Sequence, residues 1–443
     1  MKTKQLIATA GVLALALSAC SDPGTGKNAD TKSGDTGSSE VAKWPEATAK
    51  LDGTTLKIWA AQSSNKIPAG VAKEFEKATG AKVEIVTIPD GYEQNVLTKV
   101  ATGDKPDLAM WQPTASMLLP INAKENLLPL DGAPWESKYA DGVLDYGGTL
   151  DGARYAAFIS APSTMGVWYN KEVFDKQGAK IPQNFDELLT LARDMKAKGQ
   201  TPLNEMGGEW WASQWTVQVL VGDASKDGLW DKVNKNEDGF TGEALQGAID
   251  KYASMIDEGL YNEDIKTGTF DQQARALLDG KAAMAIATNS LLSNMASLTD
   301  AKTLNEKIGF FPISEKGNRA TNHPEQTNAV VAFKTGDEKR EAAARQFLTF
   351  WLTEGYQKFI DSENTVSIMK DGKTPEAVPQ AAIEANEALK GSVGSMQAQA
   401  IANPDLAKNL GDMIAGTKTP AQVGEATQAQ FVELARAMGA KGF

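Results

Sequence analysis

A chain of 443 residues is longer than one hydrophobic core comfortably fills, and with 42% hydrophobic and 23% charged residues most of it can fold as a soluble protein. Its 45 basic against 57 acidic residues leave a formal net charge of -12, which argues against a nucleic-acid binder, because phosphates are held by clustered Lys and Arg. A single cysteine and a single histidine exclude an intramolecular disulfide, a cysteine-built metal site and a His-rich zinc site, and any catalytic triad would have to form around His323.

The chain begins MKTKQLIATAGVLALALSAC: Lys2 and Lys4, then an apolar run from Leu6 to Leu17. That run is far shorter than the roughly 20 residues a membrane-spanning helix needs, so residues 1–19 read as a secretory signal peptide. Its end, Leu17-Ser18-Ala19-Cys20, resembles the lipobox of bacterial lipoproteins. The resemblance implies cleavage before Cys20, acylation of that cysteine and anchoring to the outer face of the cell membrane; the plain alternative is an incidental small residue at the end of an ordinary signal. The following residues, SDPGTGKNADTKSGDTGSSEVAK, offer almost nothing to bury, and 20–52 is assigned to the lipidated cysteine and a flexible tether. Gly24-Thr25-Gly26-Lys27 is no phosphate loop, since no strand precedes it and no Ser or Thr follows the lysine.

The folded body opens with a β-rich run, Thr54 to Ala60. Pro68 then starts a helical pattern with Val71, Phe75 and Ala78 on one side, ended by Gly80. AKVEIVTI predicts a second strand, Tyr92 to Val100 a second helix, and Pro106 to Trp111 a third strand. Such alternation predicts βαβ units on a parallel sheet, whose ligands sit beyond the carboxyl ends of the strands. Asn184 with Glu187 predicts a capped helix stopping at Gly199. FDQQARALLDGKAAMAIATNS reads as helix, glycine stop and buried strand; EAAARQFLTFWLTEG and Pro420 to Met438 read as amphipathic helices. Two lobes suit this length better than one domain.

LKIWA, VAKEFEKATGAKVEI, ATGDKPDLAMW, VWYNKEVFDKQG with NFDELLTLARDMKAKG, LLDGKAAMAIATNS, FFPI and AARQFLTFWLTEGYQKF, in that order and spacing, resemble the extracellular solute-binding proteins of bacterial ABC importers, in the sugar-binding group that includes the maltodextrin-binding protein. The resemblance spans Leu56 to Met438. It implies an α/β fold of two lobes joined by a hinge crossed three times, with the ligand in the interlobe cleft. Lobe 1 would hold 53–160 plus 328–375 and lobe 2 would hold 161–327 plus 376–443. It further implies a saccharide ligand, a membrane permease as partner, no cofactor, no enzymatic activity and a monomer.

A saccharide needs hydrogen-bonding partners for its hydroxyls and flat rings for its C–H faces. In lobe 1 the candidates are Gln62 and Ser63 in the turn after the first strand, Asp90 and Tyr92 at the start of the second helix, and Trp111 with Gln112 at the end of the third strand. Trp111 reads equally well as core. In lobe 2, GGEWWASQW puts Glu209, Trp210 and Trp211 in a loop after two glycines. Adjacent tryptophans cannot both enter a core from one helix face, so at least one is expected to be open to a ligand; Trp215 reads as core. Asn289 and Ser290 follow the AAMAIAT strand, where many members of the group carry a tryptophan. Ser163 lies where some members place a cleft carboxylate. His323 and Glu325, in the polar segment TNHPEQ, face either the cleft or solvent.

Asn234-x-Asn236-x-Asp238-Gly239 begins like a calcium loop, but the twelfth position is Leu245 where a bidentate Glu is required, and no metal site is assigned. No pair of carboxylates is singled out by spacing as a glycosidase acid and base. The rival readings are the same fold with a non-sugar solute and a surface glycoside hydrolase.

Overall fold

The computed structural model describes residues 44–89 and 91–443. The signal segment, Cys20 and the tether as far as residue 43 lie outside the described residues, and so does Asp90. Residues 44–52, assigned to the tether, are instead packed on the first lobe. The Trp44 ring meets Trp135 edge-on at 4.7 Å, Gln346 donates to the carbonyl of Ala49 at 2.7 Å, and Leu51 N–H bonds the Thr79 carbonyl at 2.8 Å. The indole and these two bonds together tie down a stretch whose polar residues read as linker.

The first lobe is built on a five-stranded sheet in the order Lys82–Ile88, Thr55–Ala61, Leu108–Met110, Ala329–Ala332, Ala156–Phe158. The first three strands run parallel, with Leu56 opposite Val83 and Ile58 opposite Leu108; Ala329–Ala332 lies antiparallel to Leu108–Met110. Helix Ala69–Thr79 lays Val71, Ala72 and Phe75 on this sheet, each worth up to roughly 1.5–3 kcal/mol of burial for the larger side chains. It stops at Gly80, whose φ of 81° is left-handed and whose added Cβ would sit 2.1 Å from the Asp52 carboxylate. Helix Tyr92–Ala101 packs Val96 and Val100 inward in the same way.

The second lobe is built on the strands Val393–Gly394, Thr321–His323, Ser163–Asn170, Ala282–Ala287 and Thr201–Leu203, with Ile308–Phe311 pairing the far half of Ser163–Asn170. Ala282–Ala287 is buried along its whole length, as its unbroken apolar sequence requires. Helix Phe185–Ala197 begins at Asn184, whose side-chain oxygen accepts the Glu187 N–H at 2.9 Å. Helices Phe270–Leu278 and Pro420–Ala437 each start with a reciprocal Thr and Gln capping box. TNHPEQ is not a plain loop: Thr321–His323 pairs antiparallel with Ser163–Met165, satisfying an edge that would otherwise stay unpaired.

Each sheet has its own apolar core. One is drawn from Leu56–Ile159 and Ala329–Met369, the other from Met165–Ile313 and Ala381–Phe431. The chain therefore passes between cores at 159–165, at 313–329 and at 369–381. Asn328 fastens the first two passages together: its carbonyl accepts Ile159 N–H at 2.8 Å, and its amide donates to the Ala161 carbonyl at 2.9 Å and to Ser160 Oγ at 3.1 Å.

Candidate functional site

The parallel strands of the first sheet deliver their carboxyl ends to one edge, where Ala61, Ile88 and Met110 give way to turns. Gln62 and Ser63 are exposed there, while Ser64 is sealed and donates to Gln326 Oε1 at 2.9 Å; Gln326 in turn donates to Ser63 Oγ at 3.3 Å. Gln62, Ser63, Pro89, Tyr92, Glu93 and Gln326 surround a cavity of about 600 Å³. Gln326, on the passage from the second core, thus completes a wall begun by the first strand. Gln112 touches the same passage, donating to the Pro324 carbonyl at 3.0 Å.

Of the residues expected in this wall, Trp111 serves the fold instead, and Tyr92 borders the cavity with its hydroxyl spent on backbone. Trp111 is fully buried, with its indole N–H spent on the Met117 carbonyl at 3.2 Å; a strand of only three residues, buried on both faces, needs the ring that follows it to close the core. Tyr92 is 4% exposed and its hydroxyl donates to the Met110 carbonyl at 2.6 Å, with the Trp59 carbonyl at 3.2 Å. Burial pushes the phenol pKa well up, so it stays a neutral strut between two strands.

The passage itself is polar. Ser163 Oγ donates to Glu325 Oε1 at 3.2 Å, His323 Nε2 lies 4.0 Å from the same oxygen, and His323 Nδ1 is 3.1 Å from Ser395 Oγ. Loss of water holds the His323 pKa down to about 4, so the ring is neutral at ordinary pH. The same cause raises Glu325, although 38% of its side chain can still be reached from outside.

The His323 ring packs tilted against Trp215 at 5.4 Å, Trp215 meets Trp211 edge-on at 6.5 Å, and Trp211 meets Phe270 edge-on at 5.2 Å. This row of rings leads from the passage out along the second lobe to an indole that is 38% exposed. The loop carrying it is held close: a Cβ on Gly208 would lie 2.8 Å from the Gly268 carbonyl, and Phe270 N–H donates to Glu209 Oε2 at 3.2 Å. Trp210 is 49% exposed but lies on helix Leu406–Ala415, where only Gly411 leaves room for it. The two indoles therefore part, as their adjacency requires. Asn289 faces a different cavity of about 330 Å³ shared with Leu292, Asn364 and Val378, and its side-chain Oδ1 accepts Thr164 N–H at 2.9 Å. Ser290 is paired with Thr288 at 2.7 Å.

Three buried glutamines beneath the rings, Gln214, Gln218 and Gln397, were not read from the sequence. Gln214 and Gln218 stand four residues apart in the largely apolar stretch QWTVQVL, which is the signal that could have exposed the first two. Among the described residues no group of three or more His, Cys, Asp or Glu is placed to hold a metal ion, and no helix is long and apolar enough to cross a membrane.

Residues 60–358 match the model of the bacterial extracellular solute-binding proteins. The chain belongs to that family. Over 314 residues it is 27% identical to a binding protein of Brucella abortus (strain 2308), covering 68% of this chain and 72% of that one. It is 28% identical over 193 residues to the alpha-glucosides-binding periplasmic protein AglE of Rhizobium meliloti (strain 1021), covering 40% and 41%. Among solved structures, unliganded RafE from Streptococcus pneumoniae superposes with a TM-score of 0.71 at 18% identity, covering 89% of this chain and all of RafE; RafE has also been solved with raffinose. The family's two-lobed periplasmic-binding-protein fold is thus the fold of this chain.

Proposed function

We propose that this protein is the saccharide-capturing component of an ABC-type importer, tethered to the outer face of the cell membrane through acylated Cys20. The observation that carries the reading is Trp211: a flat, half-open indole braced by Phe270 and Trp215, joined by an unbroken row of rings to the polar passage that bears His323 and Glu325. Such a surface suits a ligand with C–H faces on one side and hydroxyls on the other. The alpha-glucosides named for AglE and the raffinose bound by RafE make the class concrete.

Capture works without bond chemistry. A saccharide that touches both walls favours the state in which the walls are close, and it can shift that equilibrium only by as much as it prefers the closed state. A membrane permease would then read the closed lips of both lobes, as one monomer. Gln62, Ser63, Gln112, Ser163, Glu209, Glu325 and His323 are the polar residues assigned to the hydroxyls.

A thermal-shift screen of the full chain against mono- and oligosaccharides tests the reading. At least one saccharide should raise the melting temperature in a concentration-dependent way and be recovered unaltered. No shift with any of them, or hydrolysis of a glycoside by the purified protein, overturns it. Cys20→Ser should release the protein from membranes without altering the shift.

A further inference from the structure

We propose that Gln397 is a positioning residue that ties the place of Trp211 to contact between the two lobes; the inference rests on the reading of Trp211 as the stacking ring. Ser116, in the short helix Ala115–Leu118 of the first lobe, is 7% exposed and donates its hydroxyl to the Gln397 carbonyl at 3.1 Å. Gln397 belongs to helix Met396–Gln399 of the second lobe. The two lobes therefore share a buried hydrogen bond away from the three passages.

From there the carboxamides transmit an orientation. Met396 N–H donates to Gln218 Oε1 at 2.9 Å, which fixes that oxygen as the acceptor and turns Gln218 Nε2 toward Gln397 Oε1 at 2.8 Å. Gln397 must then present Nε2, which donates to Gln214 Oε1 at 2.7 Å. Gln214 is left with Nε2 outward, and this donates to the Trp211 carbonyl at 3.2 Å. All three glutamines are at most 8% exposed. In a network so dry a reversed amide would set oxygen against oxygen, so the order of donors and acceptors is fixed from the Met396 N–H to the Trp211 carbonyl.

When the lobes meet at Ser116, the Gln397 backbone is held and the chain to Trp211 is complete. When they part, that anchor is lost and the loop bearing the stacking ring is released. The ring is thus set for a ligand in whatever fraction of the chain keeps the Ser116 contact, with or without a saccharide.

Amide hydrogen exchange on the full chain, with no saccharide present, tests this. Ser116→Ala should speed exchange across residues 210–218 of the other lobe by about fivefold, the factor expected for one net hydrogen bond of ordinary strength. Ser116→Thr, which keeps the hydroxyl, should exchange like the native chain. Gln397→Glu, which turns an acceptor toward Gln214 Oε1, should produce the same release, and adding Ser116→Ala to it should produce no more. Unchanged exchange at 210–218 in Ser116→Ala, or effects that simply add, would overturn the proposal. Should Gln397→Glu fail to fold, the Ser116 pair decides alone. Because no saccharide enters, failure here leaves the saccharide reading standing, and failure of the saccharide screen leaves the exchange result interpretable.

Discussion

The two lobes use their aromatic residues in opposite ways. On the first lobe, Trp111 and Tyr92 sit at strand and helix ends facing the cleft edge, yet both are sealed and hydrogen-bonded to backbone, leaving Gln62, Ser63 and Gln326 to form the surface. On the second, Trp210 and Trp211 are among the most exposed large side chains described, and the polar groups lie behind them. A small sheet with short strands needs every large ring for its own core. The larger second core has aromatics to spare, and two adjacent tryptophans in a turn cannot both go inside.

Trp111→Ala should sharpen this contrast most. Emptying a fully buried indole site costs about 3–5 kcal/mol, to be read as a large fall in the denaturant midpoint, while the fraction that remains folded keeps its saccharide affinity. A near-native midpoint with lost binding would make Trp111 a ligand contact after all.

The walls also differ in buried titration. Under the second, Glu205 is 2% exposed, accepts Tyr252 O–H at 2.9 Å and Met206 N–H at 2.9 Å, and is raised by burial to about 7. A carboxyl raised on folding binds more protons in the native state, so its contribution falls as pH climbs from about 4.5 to 7. His323, lowered to about 4, acts in the opposite sense: its contribution is full above about 6.5 and is lost as pH falls toward 4. Each shift corresponds to at most about 3 kcal/mol. In the native chain the two slopes oppose each other between roughly pH 4.5 and 6.5. Glu205→Gln should expose acid destabilisation, and His323→Gln should leave a chain that gains stability on mild acidification. Denaturant midpoints at pH 5 and pH 7.5 check both, and parallel profiles for all three chains would refute the burial of these groups.

What could be read from residue order follows from locality. Helix Ala69–Thr79 with its glycine stop, strand Lys82–Ile88 and the Asn184 cap depend on neighbours within one turn or one strand, and periodicity reports them. The exposure of Trp211 was legible because adjacency alone forbids burying both indoles. Trp111 was ambiguous because a strand's last residue belongs equally to the sheet and to its edge. The resemblance put lobe boundaries at Ser160 and Asn328, but the bonds that join them, and those of Gln326 and Gln397, were invisible, since the partners lie far apart along the chain at Ser160, Ser64 and Ser116.

Trp211→Ala tests the second wall directly. The side chain is partly open, so stability should change by less than for Trp111→Ala, while saccharide affinity by calorimetry should fall well beyond tenfold, as for a central aromatic anchor. An unchanged isotherm would remove the ring from the site and with it the contrast between the walls.

The smallest effect is expected from Tyr92→Phe. The ring remains to fill its place against Trp111, 6.2 Å away, and the hydroxyl's bond shared between the Met110 and Trp59 carbonyls is lost, a change of about 1 kcal/mol. The Met110 carbonyl caps the strand leading into Trp111, so the loss should appear in stability and not in affinity. A drop in saccharide affinity with an unmoved midpoint would mean that the hydroxyl leaves its backbone partners for the ligand. The first wall would then present an aromatic group of its own, and the division between a polar wall and an indole wall would fail.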